Sequence, residues 1–585
     1  MRFRWPNDTA FRRMVLDVEQ QGCSRCEQPL YICAHRVHRI FTLTGPVELV
    51  CRLAHCSDPA CSDRGRTLSP AAELSFALPR WLIGWDVFCW MGHRRFARHW
   101  SVVQIQTELR DTYHIPLSFD GILAYLGRYQ TMLAARQQDP RQMAKAYARI
   151  PALVLSIDGI QPEKGHETLY TVREWNAERI WFAESLLSSN QDEVRRLLVR
   201  AREWAERLGK PVRLWVSDKQ DAFVKGLALE FAGVPHRYCA NHFLRDLAKP
   251  TLEADSHAKV QMRRKVRGLR DIERAVLKRR RGARTQVEGR QGVSETSIGA
   301  DGAANASTAN QRAAKAKVAG KQGVASAGGT ETTKGRKAGD TEAAGQVVLD
   351  YCAVVRGILN DDQGGPLQPP GLRMAEALAE VRASLGRNLA LNKPGRAHKL
   401  LARLAGCIDR GLAGVKEQQE QVKGQVRAIQ EVAATLDASS GTLAVRKARY
   451  ERLRRQYEKP GGEFCVHVSK LMGSFADGLF VRVQSRKGES LPSDNLDIER
   501  WFRKPKGHER RIHGHKHAGV RIVQQGPTLL LALDAHEAHS QPFTAGDLLP
   551  YRDAQPPPDQ VEAMQRHKLM RKARTQKNDK SYSLS

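Results

Sequence analysis

Apolar positions along this chain follow three patterns, and each predicts a different kind of element. Short unbroken runs, Ala152-Leu153-Val154-Leu155-Ser156-Ile157 and Val212-Arg213-Leu214-Trp215-Val216, have the length and aliphatic content of buried strands. Further strands are predicted at 39–44, 47–53, 168–173, 180–185, 236–239, 464–468 and 479–483. Helical spacing governs 79–136. There Ser101-Val102-Val103-Gln104 has capping-box form ahead of Ile105 and Leu109, and Tyr113-His114-Ile115-Pro116 breaks the helix. Ser118 then caps a second helix through Ile122, Leu123, Leu126 and Tyr129. Two helices across a short break, with Arg128 and Arg136 on the second, are the form of a helix-turn-helix DNA reader and equally of an ordinary helical hairpin.

Residues 151–250 read strand, strand, strand, helix, strand, helix, strand, with Asn190 capping the first helix; that is the order of an RNase H-like fold. The third pattern, at 372–458, is a seven-residue recurrence of Ile408, Val415, Val422, Ile429 and Leu436, broken by Gln419. This coiled-coil-like seam closes either within the chain or against a second copy. Between these regions, 263–284 is densely basic and helical. Residues 290–345 hold Ala, Gly, Ser, Thr and Lys with almost nothing to bury, so disorder is expected there. A polar, basic tail without order is expected from 566 onward.

Composition turns this outline toward a polyanionic partner. Ninety-four Lys and Arg against 63 Asp and Glu leave a net charge of +31. No apolar run approaches the roughly 20 residues that span a bilayer, and the start lacks the apolar core of a signal peptide, so a cytoplasmic protein without membrane contact is expected.

The chemistry lies in acidic residues placed at the ends of apolar runs. Asp158 and Asp218 each close a predicted buried strand, and Glu499 follows in Ser493-Asp494-Asn495-Leu496-Asp497-Ile498-Glu499. Carboxylates at the carboxyl edge of an α/β sheet sit where such sheets bind ligands. Three together would hold two Mg²⁺ ions, with Mn²⁺ able to substitute, for in-line phosphoryl transfer on nucleic acid. Asp158 would bridge the ions, Asp218 complete one site and Glu499 the other, with Asp221, Asp494 and Asp497 as alternatives. Gly159 would let a phosphate approach the backbone. Lys504, Lys506, Arg510, Arg511 and Lys516, with Arg128, would grip DNA phosphates; Pro505 and Gly507 predict a loop or broken helix there.

Six of the eleven cysteines fall between Cys23 and Cys61. Cys23-x2-Cys26 and Cys56-x4-Cys61 pair as ligands of a structural zinc, with Cys33, His35, Cys51 and His55 as competitors. Cys239-Ala240-Asn241-His242 is a weaker signal, for a metal or for a packed thiol and imidazole.

Taken together, Leu155-Ser156-Ile157-Asp158-Gly159, Val216-Ser217-Asp218 followed by Ala222-Phe223, Cys239-x-x-His242, Asn495-x-x-x-Glu499-x-x-Phe502-Arg503 and Arg510-Arg511-Ile512-His513-Gly514-His515-Lys516 resemble a DDE transposase of bacterial insertion sequences, with features of the Mutator-like group. The resemblance covers about residues 20–250 and 460–535. It implies an RNase H-like core that cuts element ends and joins 3′-hydroxyls to target DNA. It also implies an N-terminal zinc and helix-turn-helix region for terminal inverted repeats, action as a homo-oligomer on double-stranded DNA, and a nucleoid location. The long interval between Asp218 and Glu499 accommodates the helical insertion common in such families.

The expected organisation is therefore multidomain. It comprises a zinc ribbon (1–70), a helix-turn-helix region (79–140), the first part of an α/β RNase H-like core (150–250), an α-helical insertion (251–460), the second part of the core (461–535) and a basic tail (536–585). The competing functions are an RNase H-like nuclease without strand transfer, and a domesticated, catalytically inactive DNA-binding protein.

Overall fold

The computed structural model describes residues 3–162, 166–279, 333–391, 394–459, 462–484, 491–514 and 519–582. It is a multidomain α/β chain with two compact units: residues 1–243, 442–447 and 470–585 form one, and 244–441 with 448–469 the other.

The first unit begins with a three-stranded sheet, β1 (Arg12–Leu16), β2 (Leu30–Thr42) and β3 (Gly45–Cys56), in the order β1-β3-β2. Helices α1 (Trp85–Phe96), α2 (Val102–Asp111) and α3 (Phe119–Gln137) follow. The Ser101 capping box forms with Gln104, and Ser118 Oγ accepts the Gly121 N–H, so both predicted helix starts stand. His114 takes the left-handed turn conformation in the break between α2 and α3.

A five-stranded mixed sheet comes next: β4 (Leu153–Ile160), β5 (Thr168–Glu174), β6 (Arg179–Leu186), β7 (Val212–Ser217) and β8 (His236–Tyr238), in the order β6-β5-β4-β7-β8. β5 runs antiparallel to both β4 and β6, whereas β4, β7 and β8 are mutually parallel. Helices α4 (Gln191–Leu208), α5 (Asp221–Glu230) and α6 (Ala240–Leu247) connect or follow the last strands. α4 and α5 bury Val194, Leu197, Leu198, Phe223 and Leu227 against Leu155, Ile157 and Trp215. Burial of side chains of this size contributes about 1.5–3 kcal/mol each.

The later helices of this unit are α7 (Leu496–Trp501), α8 (Arg503–His513), α9 (Arg521–Ala538) and α10 (Pro558–Tyr582). α9 is buried on nearly all sides. Leu529, Ala532 and Leu533 join the core of α1–α3, while Val523, Leu530 and Leu531 join Leu169 and Ile180 of the sheet. Gly526 sits where a Cβ would overlap Leu169, so the close approach of helix and sheet depends on that glycine.

Three sequence expectations are corrected here. The strands predicted at 464–468 and 479–483 are absent; 464–468 lies inside the helix Gly462–Leu479, and no strand follows it before residue 484. Pro505 and Gly507 do not break a helix, because Pro505 occupies the first turn of α8, where a missing N–H costs no intrahelical bond. The C-terminal tail is helical through Tyr582, with Gln560, Ala563 and His567 buried. Most of the low-complexity stretch lies outside the described residues, while its end belongs to the helix Thr333–Asn360.

The second unit is helical. Its core unites Met262, Ile272, Val348, Leu378, Leu404 and Ile408. The buried Asp255 carboxylate accepts the N–H groups of Gly371 and Leu372, both at 2.7 Å, and so caps the helix Pro370–Leu391. The seven-residue seam is divided between the helices Arg396–Ala413 and Lys416–Leu436. Ile408, Val415, Val422 and Ile429 are buried within this unit, so the seam packs inside the chain.

A stack of aromatic and histidine rings joins α1, α3, α8 and α9. Phe96 stacks on Tyr129, His508 and His536, Tyr129 Oη lies 3.0 Å from His536 Nε2, and the Nδ1 atoms of His99 and His508 are 2.9 Å apart. Burial, with Arg95, Arg511, Arg521 and Lys504 nearby, lowers His99 to about 4 and His508 well below its usual value; burial and neighbouring histidines lower His536 to about 3. Unfolded histidines titrate near about 6.5. The unfolded chain therefore takes up protons that the folded stack refuses, and stability falls as pH drops from that value toward 4. Asp534, raised to about 7 by burial, opposes this trend as a single group. Denaturant melts across this range are expected to show a shallower pH slope for His508→Phe than for the unaltered protein; equal slopes would remove the stack as the cause.

Candidate active site and metal centre

Asp158 lies near the carboxyl end of β4, between β5 and β7. In the parallel pair, Ser156 is in register with Val216, where the ladder ends; Asp158 lies two residues further along β4, and Asp218 directly follows the last residue of β7. Both carboxylates therefore belong to the carboxyl ends of neighbouring strands, which run about 4.8 Å apart where they pair. Both residues are half-buried. Gly159 N–H donates to Asp158 Oδ1 at 2.8 Å. A Cβ on Gly159 would come within 2.9 Å of both Thr168 and Tyr170, so glycine here serves the packing of β5.

The backbone at Asp218 is fixed by a relay. Ser217 Oγ donates to Asp218 O at 2.7 Å and lies 2.8 Å from His236 Nε2, which must then supply its own proton to that hydroxyl. Burial lowers His236 to about 4, so the ring is neutral and keeps this tautomer. Tyr170 Oη bonds Ser189 Oγ at 2.6 Å. Its pKa is raised by burial first, with the charges of Asp218 and Asp158 adding to the rise.

Glu499 reaches the same sheet edge through Asn495. The buried Asn495 donates from Nδ2 to Ile157 O at 3.0 Å and from its backbone N–H to Cys239 Sγ at 3.2 Å. Glu499 N–H bonds Asn495 O at 3.0 Å, one helical turn later. The start of α7 is thereby tied both to the residue before Asp158 and to the end of β8. The Glu499 carboxylate receives Asn241 Nδ2 at 3.3 and 3.4 Å and lies 3.7 Å from His242 Nδ1.

Asp497 is engaged elsewhere. Two residues along a helix differ by about 200°, and its carboxylate accepts from the buried Arg173 at 2.6 Å. Asp494 Oδ1 accepts the Leu496 N–H, and Asp221 opens α5. Tyr170 and His236 have no role in the sequence reading, where Asn495 and Asn241 stand only as members of quoted motifs; of these, Asn495 carries a signal, its i→i+4 spacing to Glu499. Asn495→Ala is expected to lower any activity that depends on Glu499 by about 10²-fold, the cost of a small misplacement, with the melting temperature reduced only modestly. Full activity in that variant would remove Asn495 as the residue that positions Glu499.

Among the described residues, three groups of His, Cys, Asp or Glu bring their ligand atoms within 4.8 Å of one another. Asp158, Asp218 and Glu499 do not form such a group. Glu499 does so with Cys239 and His242. Asp158 and Asp218 offer only oxygen, the donor that Mg²⁺ prefers, whereas Cys239 is a buried thiol pushed up to about 12 and already accepts a backbone N–H.

The second group is Cys23, Cys26, Cys56 and Cys61. The β2–β3 register pairs Leu30 with Cys56, which draws the turn carrying Cys23 and Cys26 onto the end of β3. Cys23 Sγ lies 3.8 Å from Cys61 Sγ, and Cys26 Sγ 3.3 Å from Cys56 Sγ. A tetrahedron with bonds of about 2.3 Å has edges of about 3.8 Å, so these four cysteines can hold a metal ion such as zinc. Backbone N–H groups of Arg25 and Cys26 lower the Cys23 thiol to about 7, favouring the ligating thiolate. The competitors are occupied or apart: Cys33 donates to Leu53 O, Cys51 is buried in the sheet core, His55 bonds Thr67, and His35 is exposed.

The basic residues divide by environment. Arg510 and Arg511 are exposed on α8, opposite its buried Pro505, His508 and Ile512. Lys504 is exposed but paired with Glu537, and Lys506 is half-buried. Arg128 donates to Ala554 O at 2.9 Å, and Arg136 pairs with Asp547 at 3.2 Å. Lys516 lies outside the described residues. No described helix is long and apolar enough to cross a membrane.

No protein-family model matches the chain, and no curated protein matches it.

Proposed function

We propose that this chain is a DDE-type DNA transposase, a polynucleotidyl transferase that cuts the ends of an insertion sequence and joins them to target DNA. The observation that carries the reading is the placement of Asp158 and Asp218 at the carboxyl ends of adjacent parallel strands, with Glu499 on a helix anchored to the residue before Asp158. The strand order β6-β5-β4-β7-β8, with β5 antiparallel, supports an RNase H-like core.

In this reading Asp158, Asp218 and Glu499 hold Mg²⁺ or Mn²⁺. Bound there, such ions would supply Lewis-acid activation of the attacking hydroxyl and stabilisation of the leaving oxygen. Asn241, His242 and Asn495 orient Glu499, and the Ser217–His236 relay fixes the backbone at Asp218. Arg510 and Arg511, exposed on the helix that follows Glu499, grip the DNA backbone near the reacting bond. A structural zinc on Cys23, Cys26, Cys56 and Cys61, together with α2 and α3, serves terminal inverted repeats, and the protein acts on double-stranded DNA as a homo-oligomer at the nucleoid.

The test supplies full-length protein with DNA carrying the sequences that flank its gene, Mg²⁺ and a target plasmid. Joined products support the reading. Cleavage without joining would make the protein a nuclease, and tight binding without either would make it an inactive DNA-binding relative.

A further inference from the structure

The third ligand-grade group lies away from the carboxylates of the proposed transferase site and was not foreseen from sequence. His166 and Glu167 immediately precede β5, and His567 is on α10, some 400 residues later; their ligand atoms lie within 4.8 Å of one another. Glu167 and His567 are 5% and 7% exposed, so this is an interior cluster. Glu167 Oε2 lies 2.8 Å from His567 Nε2, and the His166 and His567 rings face each other with centroids 5.3 Å apart and an interplanar angle of 18°.

We propose that His166, Glu167 and His567 form a binding site for a borderline divalent ion of the zinc class, which fastens α10 to the β4–β5 hairpin. Two imidazoles and one carboxylate are the donor set of zinc and related d-block ions; Mg²⁺ and Ca²⁺ favour all-oxygen sites. For the Glu167–His567 pair the present spacing needs little change, and the His166 ligand atom, within 4.8 Å of the other two, has to draw closer to complete the site. With bonds of about 2.1 Å, adjacent ligand atoms are about 3.0 Å apart in an octahedral site and about 3.4 Å in a tetrahedral one, against 2.8 Å between Nε2 and Oε2 now. Arg566 Nε donates to the other oxygen, Oε1, at 3.3 Å, which orients the carboxylate and leaves Oε2 for the ion. Glu167 is held below the usual carboxylate range: burial opposes this, but its own backbone N–H, His567 and Arg566 outweigh it.

A plain Glu167–His567 hydrogen bond is the competing account, and His166 separates the two. That bond does not use the His166 ring, whereas the ion does. α10 is also held by Gln560, whose Oε1 accepts from Thr528 N–H at 3.1 Å, so the metal-free fold does not depend on the cluster alone. Zinc bound per chain is to be counted by elemental analysis of full-length protein stripped with chelator, reloaded with Zn²⁺ and desalted.

The unaltered protein is expected to retain one equivalent more than His166→Ala or His567→Gln, and each variant to bind that equivalent at least about tenfold more weakly. Zn²⁺ should raise the melting temperature of the unaltered protein more than that of either variant. Equal zinc content and equal thermal shifts in folded His166→Ala would overturn the proposal. Should His567→Gln fail to fold, the His166 comparison decides alone. The site is independent of the transferase reading, because neither measurement involves DNA.

Discussion

Asp158→Ala is expected to reduce Mg²⁺-dependent cleavage and joining of DNA ends by at least about 10³-fold while leaving end binding within a few-fold. On the proposed reading Asp158 would be a metal ligand, and its loss would forfeit several kcal/mol of transition-state stabilisation, each 1.36 kcal/mol being about tenfold. On the proposed reading binding would rest on phosphate contacts from separate groups such as the exposed Arg510 and Arg511, which the substitution does not touch. Folding is expected to suffer little, since Asp158 is half-buried at the end of β4 and its backbone ladder with β5 does not depend on the side chain. A melting temperature close to that of the unaltered protein, combined with lost chemistry, is the expected signature. Retained cleavage in a folded Asp158→Ala variant would remove Asp158 from the site and with it the proposed mechanism.

The second large effect concerns the four cysteines. Cys26→Ser is expected to lower bound zinc by one equivalent and, like exhaustive chelation, to expose the β1–β3 region to proteolysis. That sheet has a small core of its own, Leu16, Ile40, Val47, Leu49, Cys51 and Ala77, and three strands need further support to remain ordered. Zinc held by such ligands contributes about 10–16 kcal/mol of apparent binding free energy in small domains. Limited proteolysis followed by mass spectrometry should place the new cuts between residues 12 and 61. Zinc content and a cleavage pattern unchanged by Cys26→Ser would show that this cluster holds no metal.

Much of the sheet was legible because buried strands announce themselves. β4 and β7 are mostly apolar runs, buried over most of their length, as strands covered on both faces tend to be. The caps at Ser101, Ser118 and Asn190 were legible because a short polar side chain ahead of an apolar periodicity has one common use.

The misreadings have equally physical causes. Phe464, Val466 and Val468 alternate like a strand, yet Val466 is exposed, and burial follows Val468, Met472, Phe475 and Leu479 at helical spacing. Pro505 looked like a break because its place in the first turn depends on where α8 begins. α10 looked like a tail because so few of its side chains are buried. The choice between Asp497 and Glu499 was not legible at all. It depends on which face of α7 meets Arg173 and which meets Asn241, and those partners lie more than 250 residues away in the chain. The His166, Glu167 and His567 group was invisible for the same reason.

One helix, α9, has consequences for how the first unit moves. It is a wall common to two cores: Gln130 Nε2 on α3 donates to its Thr528 Oγ1, and its Val523 carbonyl accepts from Ser185 on β6. Helical bundle and mixed sheet therefore share a beam, which couples the placement of one to that of the other. Whatever the bundle grasps is carried at a set distance and bearing from Asp158, as work held in a vice is carried under a fixed tool.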